Sequence, residues 1–154
     1  MGTVSQMEAV VFIGIPGSGK SSFFKERFFS THVRVSLDLL KTRHRERRLL
    51  EVCLGTDQRV VIDNTNPTLA ERIKYIEAAK AARYSVIGYY FESKVEDCLR
   101  RNSERSDPER VPEVAVLSTA KKMELPSRGE GFDQLFYVRM EDGRFIVEEW
   151  RDEV

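Results

Sequence analysis

Cysteine is scarce in this chain, whose 154 residues include only Cys53 and Cys98. The two lack the C-x-x-C or C-x-x-H spacing that metal-binding cysteines use. So small a number also fits a reducing compartment. A zinc site is therefore not expected.

Long apolar runs are also missing. No run approaches the roughly 20 residues that a helix needs to cross a bilayer. The first residues carry no basic stretch ahead of their apolar segment, as a secretory signal would. We therefore expect neither a membrane span nor a secretory signal, and we predict a cytoplasmic or nuclear location.

Glycine and proline are too few for a disordered or fibrous chain. The 9 Gly and 5 Pro accompany 41% hydrophobic and 32% charged residues, which is the composition of a globular protein. With no repeat or linker, residues 1–154 are expected to form one domain. The formal net charge is zero, so composition alone does not indicate a nucleic-acid partner.

What the sequence does have is an alternation of short apolar runs and helical patterns. Runs near 9–13, 33–37, 60–62, 85–91 and 135–140 predict strands, and one intervening helix is predicted from about Leu39 to Cys53. Asp142-Gly143 predicts a hairpin within 135–150 that adds an antiparallel edge strand. Because parallel strands need helical crossovers, we predict an α/β fold, a three-layer αβα sandwich with a mostly parallel five-stranded sheet.

A glycine-rich loop follows the first strand. Gly14-Ile15-Pro16-Gly17-Ser18-Gly19-Lys20-Ser21 matches G-x-x-x-x-G-K-[ST], with a strand before it and a helix after it. Glycines let successive N–H groups turn toward phosphate oxygens, and the helix N-terminus favours an anion. This P-loop predicts binding of a nucleoside triphosphate, ATP or GTP, by residues Gly14, Pro16, Gly17, Ser18, Gly19, Lys20, Ser21 and Ser22. Arg101, from a later segment, is added to this nucleotide-binding set.

Carboxylates follow the next two strands. Asp63 ends the run at 60–62, where P-loop proteins place a carboxylate for Mg²⁺, so Ser21 and Asp63 are the candidate metal ligands. An Asx turn is the alternative for Asp63, and turn or helix-start roles are alternatives for Asn64, Thr65 and Asn66. Asp38 ends the second strand, which we expect beside the first, and it is a candidate base for an acceptor hydroxyl. A helix cap is its alternative.

Two stretches are rich in arginine. Residues 100–111 lie between two predicted helices and resemble a mobile lid that brings Arg101 or Arg105 onto the γ-phosphoryl group. A solvated turn is the alternative. Lys41, Arg45 and Arg48 are predicted on one helix face after Asp38, where an anionic acceptor would meet positive charge. A solvated helix face competes equally.

Together these residues resemble the kinase domain of 5′-hydroxyl polynucleotide kinases, within the wider P-loop kinase group. The resemblance spans roughly residues 9–140. It is carried by Gly14 to Ser21, by Val60 to Pro67 with Arg72, by Arg101 to Arg105, and by Val111-Pro112 with Glu130 to Phe132.

The resemblance implies Mg²⁺-dependent transfer of the γ-phosphoryl group of ATP to the 5′-OH of DNA or RNA. It implies a catalytic set of Lys20, Asp38 and Arg105, with Asp38 as the base and Arg105 as the transition-state arginine. The predicted substrate-binding residues are Asp38, Lys41, Asp63, Thr65, Asn66 and Arg72. The chain has no Asp-x-Asp-x-Thr phosphatase signature, so kinase activity alone is expected.

One position departs from the resemblance. These kinases typically follow the acceptor-side aspartate with a second acid and, three positions on, with an arginine. This chain has Asp38-Leu39-Leu40-Lys41, and a lysine supplies charge without the bidentate fork. A kinase of a small hydroxyl metabolite and a nucleotide-binding switch module therefore stay as alternatives.

Overall fold

The computed structural model describes residues 7–152, and thus the predicted domain apart from its ends. The chain alternates strands and helices as its apolar pattern predicts. The elements are β1 Glu8–Ile13, α1 Lys20–Arg27, β2 Val33–Val35, α2 Leu37–Leu40, α3 Arg43–Gly55, β3 Val60–Ile62, α4 Leu69–Ala81, β4 Ser85–Phe91, α5 Val95–Ser103, α6 Glu113–Lys122, a 3-10 turn at Arg128–Glu130, β5 Gln134–Glu141 and β6 Arg144–Glu149.

The sheet has six strands in the order β2-β3-β1-β4-β5-β6. The first five are parallel to one another, and β6 runs antiparallel to β5. The predicted α/β fold with a mostly parallel sheet is confirmed. The terminal hairpin is also present, and Asp142 and Gly143 at its turn have φ of 51° and 74°, as a type I′ turn requires.

The second strand does not lie where the sequence predicted it. β2 pairs with β3, and β3 pairs with β1, so one strand separates β2 from the phosphate-binding loop. Strand neighbours are set by contacts distant in sequence, which local periodicity does not report. The carboxyl ends of all three strands still share one edge of the sheet, so residues after β2 remain near the P-loop.

Alternate residues of β1 face opposite layers. Val10 and Phe12 pack with α1, whereas Ala9, Val11 and Ile13 pack with α3 and α4, as period-two alternation dictates. The α1 side is mostly aromatic, with contributions from Phe12, Phe23, Phe24, Phe28 and Phe91. The sheet is thus covered on both faces, which makes the three layers. Within residues 7–152, no helix is long and apolar enough to cross a membrane.

The predicted helix from Leu39 to Cys53 is wrong, because the structure breaks it at Lys41. Lys41 has φ of 75° and ends α2, and the Thr42 hydroxyl then accepts the N–H of Arg45 to start α3. Lys41 therefore does not share a helix face with Arg45 and Arg48. A threonine followed by helix-forming residues is an N-cap signal, and it marks this break in the sequence.

Candidate active site

The P-loop lies between β1 and α1 and takes a conformation that requires glycine. Gly17 and Gly19 have φ of 85° and 100°, a region that other residues rarely adopt. A Cβ on Gly17 would lie 2.4 Å from the carbonyl oxygen of Cys98, so the loop also packs closely against α5. The loop is therefore tied to the helix that leads into the lid.

The N-terminus of α1 has the features of an anion-binding site. α1 has no side-chain cap and no acidic residue in its first turn, which leaves its N–H groups and its dipole facing the loop. Lys20 is buried, and its Nζ donates to the carbonyl oxygens of Gly14 at 2.9 Å and Ile15 at 3.0 Å. Burial lowers the pKa of Lys20 to about 8, although the nearby carboxylate of Asp63 acts in the opposite direction.

A cleft of about 580 Å³ opens in front of the P-loop, within the usual range for a small-molecule site. It brings together Ser21 and Ser22 of α1, Asp38 and Lys41 around α2, and Arg105 of the lid segment. Its described lining is Gly19, Ser21, Ser22, Lys25, Arg34, Leu37, Asp38, Leu39, Lys41, Arg105, Pro108, Glu109 and Val111.

Asp38 is exposed in this cleft, and a buried polar network holds its helix. The N–H of Leu37 donates to Oδ1 of Asn64 at 2.9 Å, and Nδ2 of Asn64 donates to Glu46 at 2.6 Å. Glu46 also accepts the Tyr75 hydroxyl at 2.8 Å. Burial and the Glu46 carboxylate raise the pKa of Tyr75, so its hydroxyl stays a donor. Asn64 therefore positions α2 and the carboxylate that α2 carries.

Asp63 and Ser21 both contact the guanidinium of Arg34, a residue that the sequence did not indicate. The Asp63 carboxylate is buried, and its Oδ2 accepts Nε of Arg34 at 2.7 Å. Nη2 of the same guanidinium donates to Oγ of Ser21 at 3.1 Å. Arg34 lies on β2, where its alternation with Val33 and Val35 indicates only an outward polar residue. No local signal marks it as part of the site.

The two predicted metal ligands fit a magnesium ion. Ser21 and Asp63 supply hard oxygen atoms, and both oxygens meet one edge of the Arg34 guanidinium, so they converge on a cationic group. Mg²⁺ is usually held by one or two carboxylates together with substrate phosphates. The described residues contain no group of three or more His, Cys, Asp or Glu that could hold a metal ion.

Three predicted substrate-binding residues support the loop instead of lining the cleft. The N–H of Gly14 donates to the carbonyl of Thr65 at 3.0 Å, and Nδ2 of Asn66 donates to the carbonyl of Phe12 at 2.7 Å. Arg72 is fully buried and donates to the carbonyl of Asn66 at 2.9 Å. Its guanidinium also pairs with Glu130 at 2.8 Å. None of Thr65, Asn66 and Arg72 is among the described residues that line the cleft.

The segment between α5 and α6 is shorter than the predicted lid, because residues up to Ser103 belong to α5. Arg101 lies on α5 and donates to the carbonyl of Gly17 at 3.2 Å, beside the loop rather than in the cleft. Arg105 lines the cleft, and its Nη1 donates to the carbonyl of Glu109 at 3.4 Å. Buried Asn102 was not predicted as a site residue. Its Nδ2 donates to the carbonyl of Val111, and its Oδ1 accepts the N–H of Val111, so Asn102 joins the two ends of the segment that carries Arg105.

A parallel sheet with a P-loop after β1, a carboxylate after β3 and a cleft at the same edge defines a P-loop kinase fold. Residues 10–126 match the family described as AAA domain, and the chain belongs to that family.

The chain is similar to several characterised proteins. It is 31% identical over 129 residues to a bifunctional polynucleotide phosphatase/kinase of Schizosaccharomyces pombe, a match that covers 81% of this chain and 32% of the relative. Kti12 of Chaetomium thermophilum, in complex with ADP-AlF3, superposes with a TM-score of 0.65 at 20% identity and covers 87% of this chain and 90% of its own. A gluconokinase of Sinorhizobium meliloti 1021 superposes with a TM-score of 0.59 at 16% identity. This match covers 86% of this chain and 82% of the gluconokinase chain.

The identity to the solved structures is low, so that likeness concerns the fold alone. The chain spans about a third of the length of the curated relatives that it matches. Their names include two activities, and the match covers only part of each protein.

Proposed function

We propose that this protein transfers the γ-phosphoryl group of ATP, with Mg²⁺, to the 5′-hydroxyl of a DNA or RNA end. One observation carries the proposal: Asp38 lines the same cleft as the start of α1 and Arg105. A phosphate donor at the P-loop and a hydroxyl at Asp38 would therefore face each other. Phosphoryl transfer depends mainly on such positioning and on stabilisation of charge.

Each side chain has a role in this proposal. The P-loop N–H groups and Lys20 bind the donor phosphates, and Ser21 and Asp63 hold Mg²⁺, which neutralises charge on the phosphate oxygens when bound. Asp38 accepts the proton of the acceptor hydroxyl and orients its oxygen. Arg105 stabilises the charge that develops on the transferred group. Arg101 holds the P-loop against α5.

The cleft also supports a polyanionic acceptor. Its lining has four cationic side chains, Lys25, Arg34, Lys41 and Arg105, against two acidic ones, Asp38 and Glu109. Lys41 stands at the acceptor end beside Asp38, where it can contact an acceptor phosphate as a point charge. The name of the fission yeast relative supports the same substrate class.

The test is transfer of labelled γ-phosphate from ATP and Mg²⁺ to 5′-OH oligonucleotides, DNA and RNA in parallel. Asp38→Asn keeps the shape of the side chain and removes its basicity, so we expect labelling to fall by about 10²-fold or more while ADP binding persists. Asp57→Asn is the matched control, because Asp57 is an exposed acid outside the cleft and asparagine tolerates its φ of 55°.

Labelling that is equal in Asp38→Asn and the wild type would remove Asp38 from the mechanism. ATP binding without labelling of either oligonucleotide would contradict the polynucleotide assignment. Small hydroxyl metabolites would then be assayed as acceptors under the same conditions.

A further inference from the structure

The Arg34 guanidinium occupies the place where the two proposed metal ligands converge. Its Nε contacts Asp63 at 2.7 Å, and its Nη2 contacts Ser21 at 3.1 Å. These two nitrogens form one edge of the planar group, so one cation serves both oxygens at once. Neither contact follows from the roles that the proposed function gives to the cleft residues.

Burial explains why Asp63 needs a cation. The side chain of Asp63 is only 2% exposed, whereas that of Arg34 is 30% exposed. A buried carboxylate without a partner is costly, because the lost hydration must be replaced by charge and hydrogen bonds. Arg34 supplies both. Cζ of its guanidinium also lies over the ring of Phe24, 6.0 Å from the ring centroid. The pair is therefore stabilised by charge, by a hydrogen bond and by packing.

We propose that Arg34 is a positioning residue that holds Ser21 and Asp63 in place before the nucleotide binds and competes with Mg²⁺ for their oxygens. The proposal rests on the proposed function to the extent that Ser21 and Asp63 are the metal ligands. Mg²⁺ and a guanidinium repel each other, and they cannot share the same oxygen lone pairs at contact distance. Mg²⁺ at Ser21 and Asp63 and the present contacts of Arg34 therefore disfavour each other.

Two consequences distinguish this role from that of an ordinary ion pair. Removal of the Arg34 charge should destabilise the metal-free protein, because buried Asp63 loses the ion pair and the hydrogen bond that Arg34 supplies. The same removal should strengthen metal binding, because the competing cation is gone. A purely structural ion pair would give the first effect without the second.

The experiment measures binding rather than transfer. ADP affinity is determined by calorimetry over a series of Mg²⁺ concentrations for the wild type and Arg34→Met, whose apolar stem can still pack on Phe24. We expect the Mg²⁺ concentration that gives half of the affinity gain to fall by about tenfold in the variant. The melting temperature without metal and nucleotide should fall at the same time.

Arg27→Met is the matched control. Arg27 also lies over an aromatic ring, that of Phe23, and pairs with neighbouring Glu26 on the exposed side of α1. It should leave the Mg²⁺ midpoint unchanged. Arg34→Lys keeps the positive charge and loses the two adjacent N–H donors of the guanidinium, so we expect a Mg²⁺ midpoint between those of the wild type and Arg34→Met. If Arg34→Met does not fold, the Mg²⁺ midpoint of Arg34→Lys tests the proposal.

An unchanged or higher Mg²⁺ midpoint in Arg34→Met would overturn the proposal, as would an ADP affinity in the wild type that does not respond to Mg²⁺. A further check is the Asp63→Asn background, in which Arg34→Met should no longer lower the melting temperature. Failure of oligonucleotide labelling would leave these readouts intact, so the two proposals fail separately.

Discussion

Lys20 shows how a single residue couples proton binding to phosphate binding at the P-loop. Its ammonium group is buried and is held by two carbonyl oxygens of the loop, which replace only part of its hydration. Burial therefore lowers its pKa to about 8. A bound phosphate would add negative charge beside Nζ and favour the protonated form.

This coupling predicts proton uptake when ADP binds at or above pH 8. With a pKa near 8 in the free protein, about half of Lys20 is neutral at that pH and must be protonated in the complex. Calorimetry in buffers with different ionisation enthalpies at pH 8 should report an uptake of about half a proton. Above pH 8, affinity should fall by up to about tenfold for each pH unit.

The same titration at pH 7 is the control, because Lys20 is mostly charged there and the phosphate is mostly ionised, so the heat should depend on the buffer much less than at pH 8. Phosphate groups titrate near pH 6, so they do not produce an effect at pH 8 and above. Buffer-independent heat at pH 8 would contradict the lowered pKa. The linked effect on folding has a defined sign: between pH 8 and 10.5 the unfolded chain binds more protons, so this group makes stability rise with pH.

Single residues differ in how far the sequence reveals them. The P-loop is a contiguous motif whose chemistry depends on backbone turns and one lysine, so it is visible in the sequence. Arg34 and Glu130 act through partners 29 and 58 positions away. Such pairs have no local pattern, because only the folded sheet brings them together.

At the scale of elements, the sequence predicts strands and helices well and their arrangement less well. Short apolar runs gave the strands, and Asp142-Gly143 gave the hairpin. The order of β2 and β3 depends on which strands pair, and no periodicity encodes that choice. The break between α2 and α3 requires a positive φ at Lys41, which is uncommon for lysine and has no apolar pattern to mark it.

The lid segment gives a prediction at this scale. Asn102 is 2% exposed and makes two hydrogen bonds to the backbone of Val111, so it closes the loop that carries Arg105. Asn102→Ala should leave partly buried backbone groups of Val111 without these partners and loosen the loop, at a cost of about 1–3 kcal/mol in the free energy of unfolding. Trypsin should then cut faster after Arg105 and Arg110.

Ser103→Ala is the control, because Ser103 is the exposed neighbour of Asn102 and its hydroxyl bonds only within the helix, to the carbonyl of Arg100. Its cleavage rate should match that of the wild type. Equal rates for Asn102→Ala and Ser103→Ala would show that the loop is held by other contacts. If the proposed function is right, transfer should decrease in Asn102→Ala more than ADP binding does, because Arg105 loses its support.

At the scale of the whole molecule, one buried pair connects distant parts of the chain to the phosphate site. Arg72 on α4 pairs with Glu130, and the exposed fractions of their side chains are 0% and 7%. Arg72 also holds the carbonyl of Asn66, and Asn66 holds the carbonyl of Phe12 at the end of β1. The loop after β3 is thus fixed between α4 and the P-loop strand.

Breaking this pair should therefore cost both stability and nucleotide affinity. Arg72→Met leaves Glu130 buried without its partner, and such losses amount to about 3–5 kcal/mol, a large part of the stability of a domain of this size. Denaturant unfolding should show that loss, whereas Arg72→Met combined with Glu130→Leu should recover part of it because no charge is left unpaired. ADP binding should stay weak in both variants, since neither restores the hydrogen bond to Asn66. Recovery of full affinity in the double variant would mean that the loop needs the charge balance and not the guanidinium.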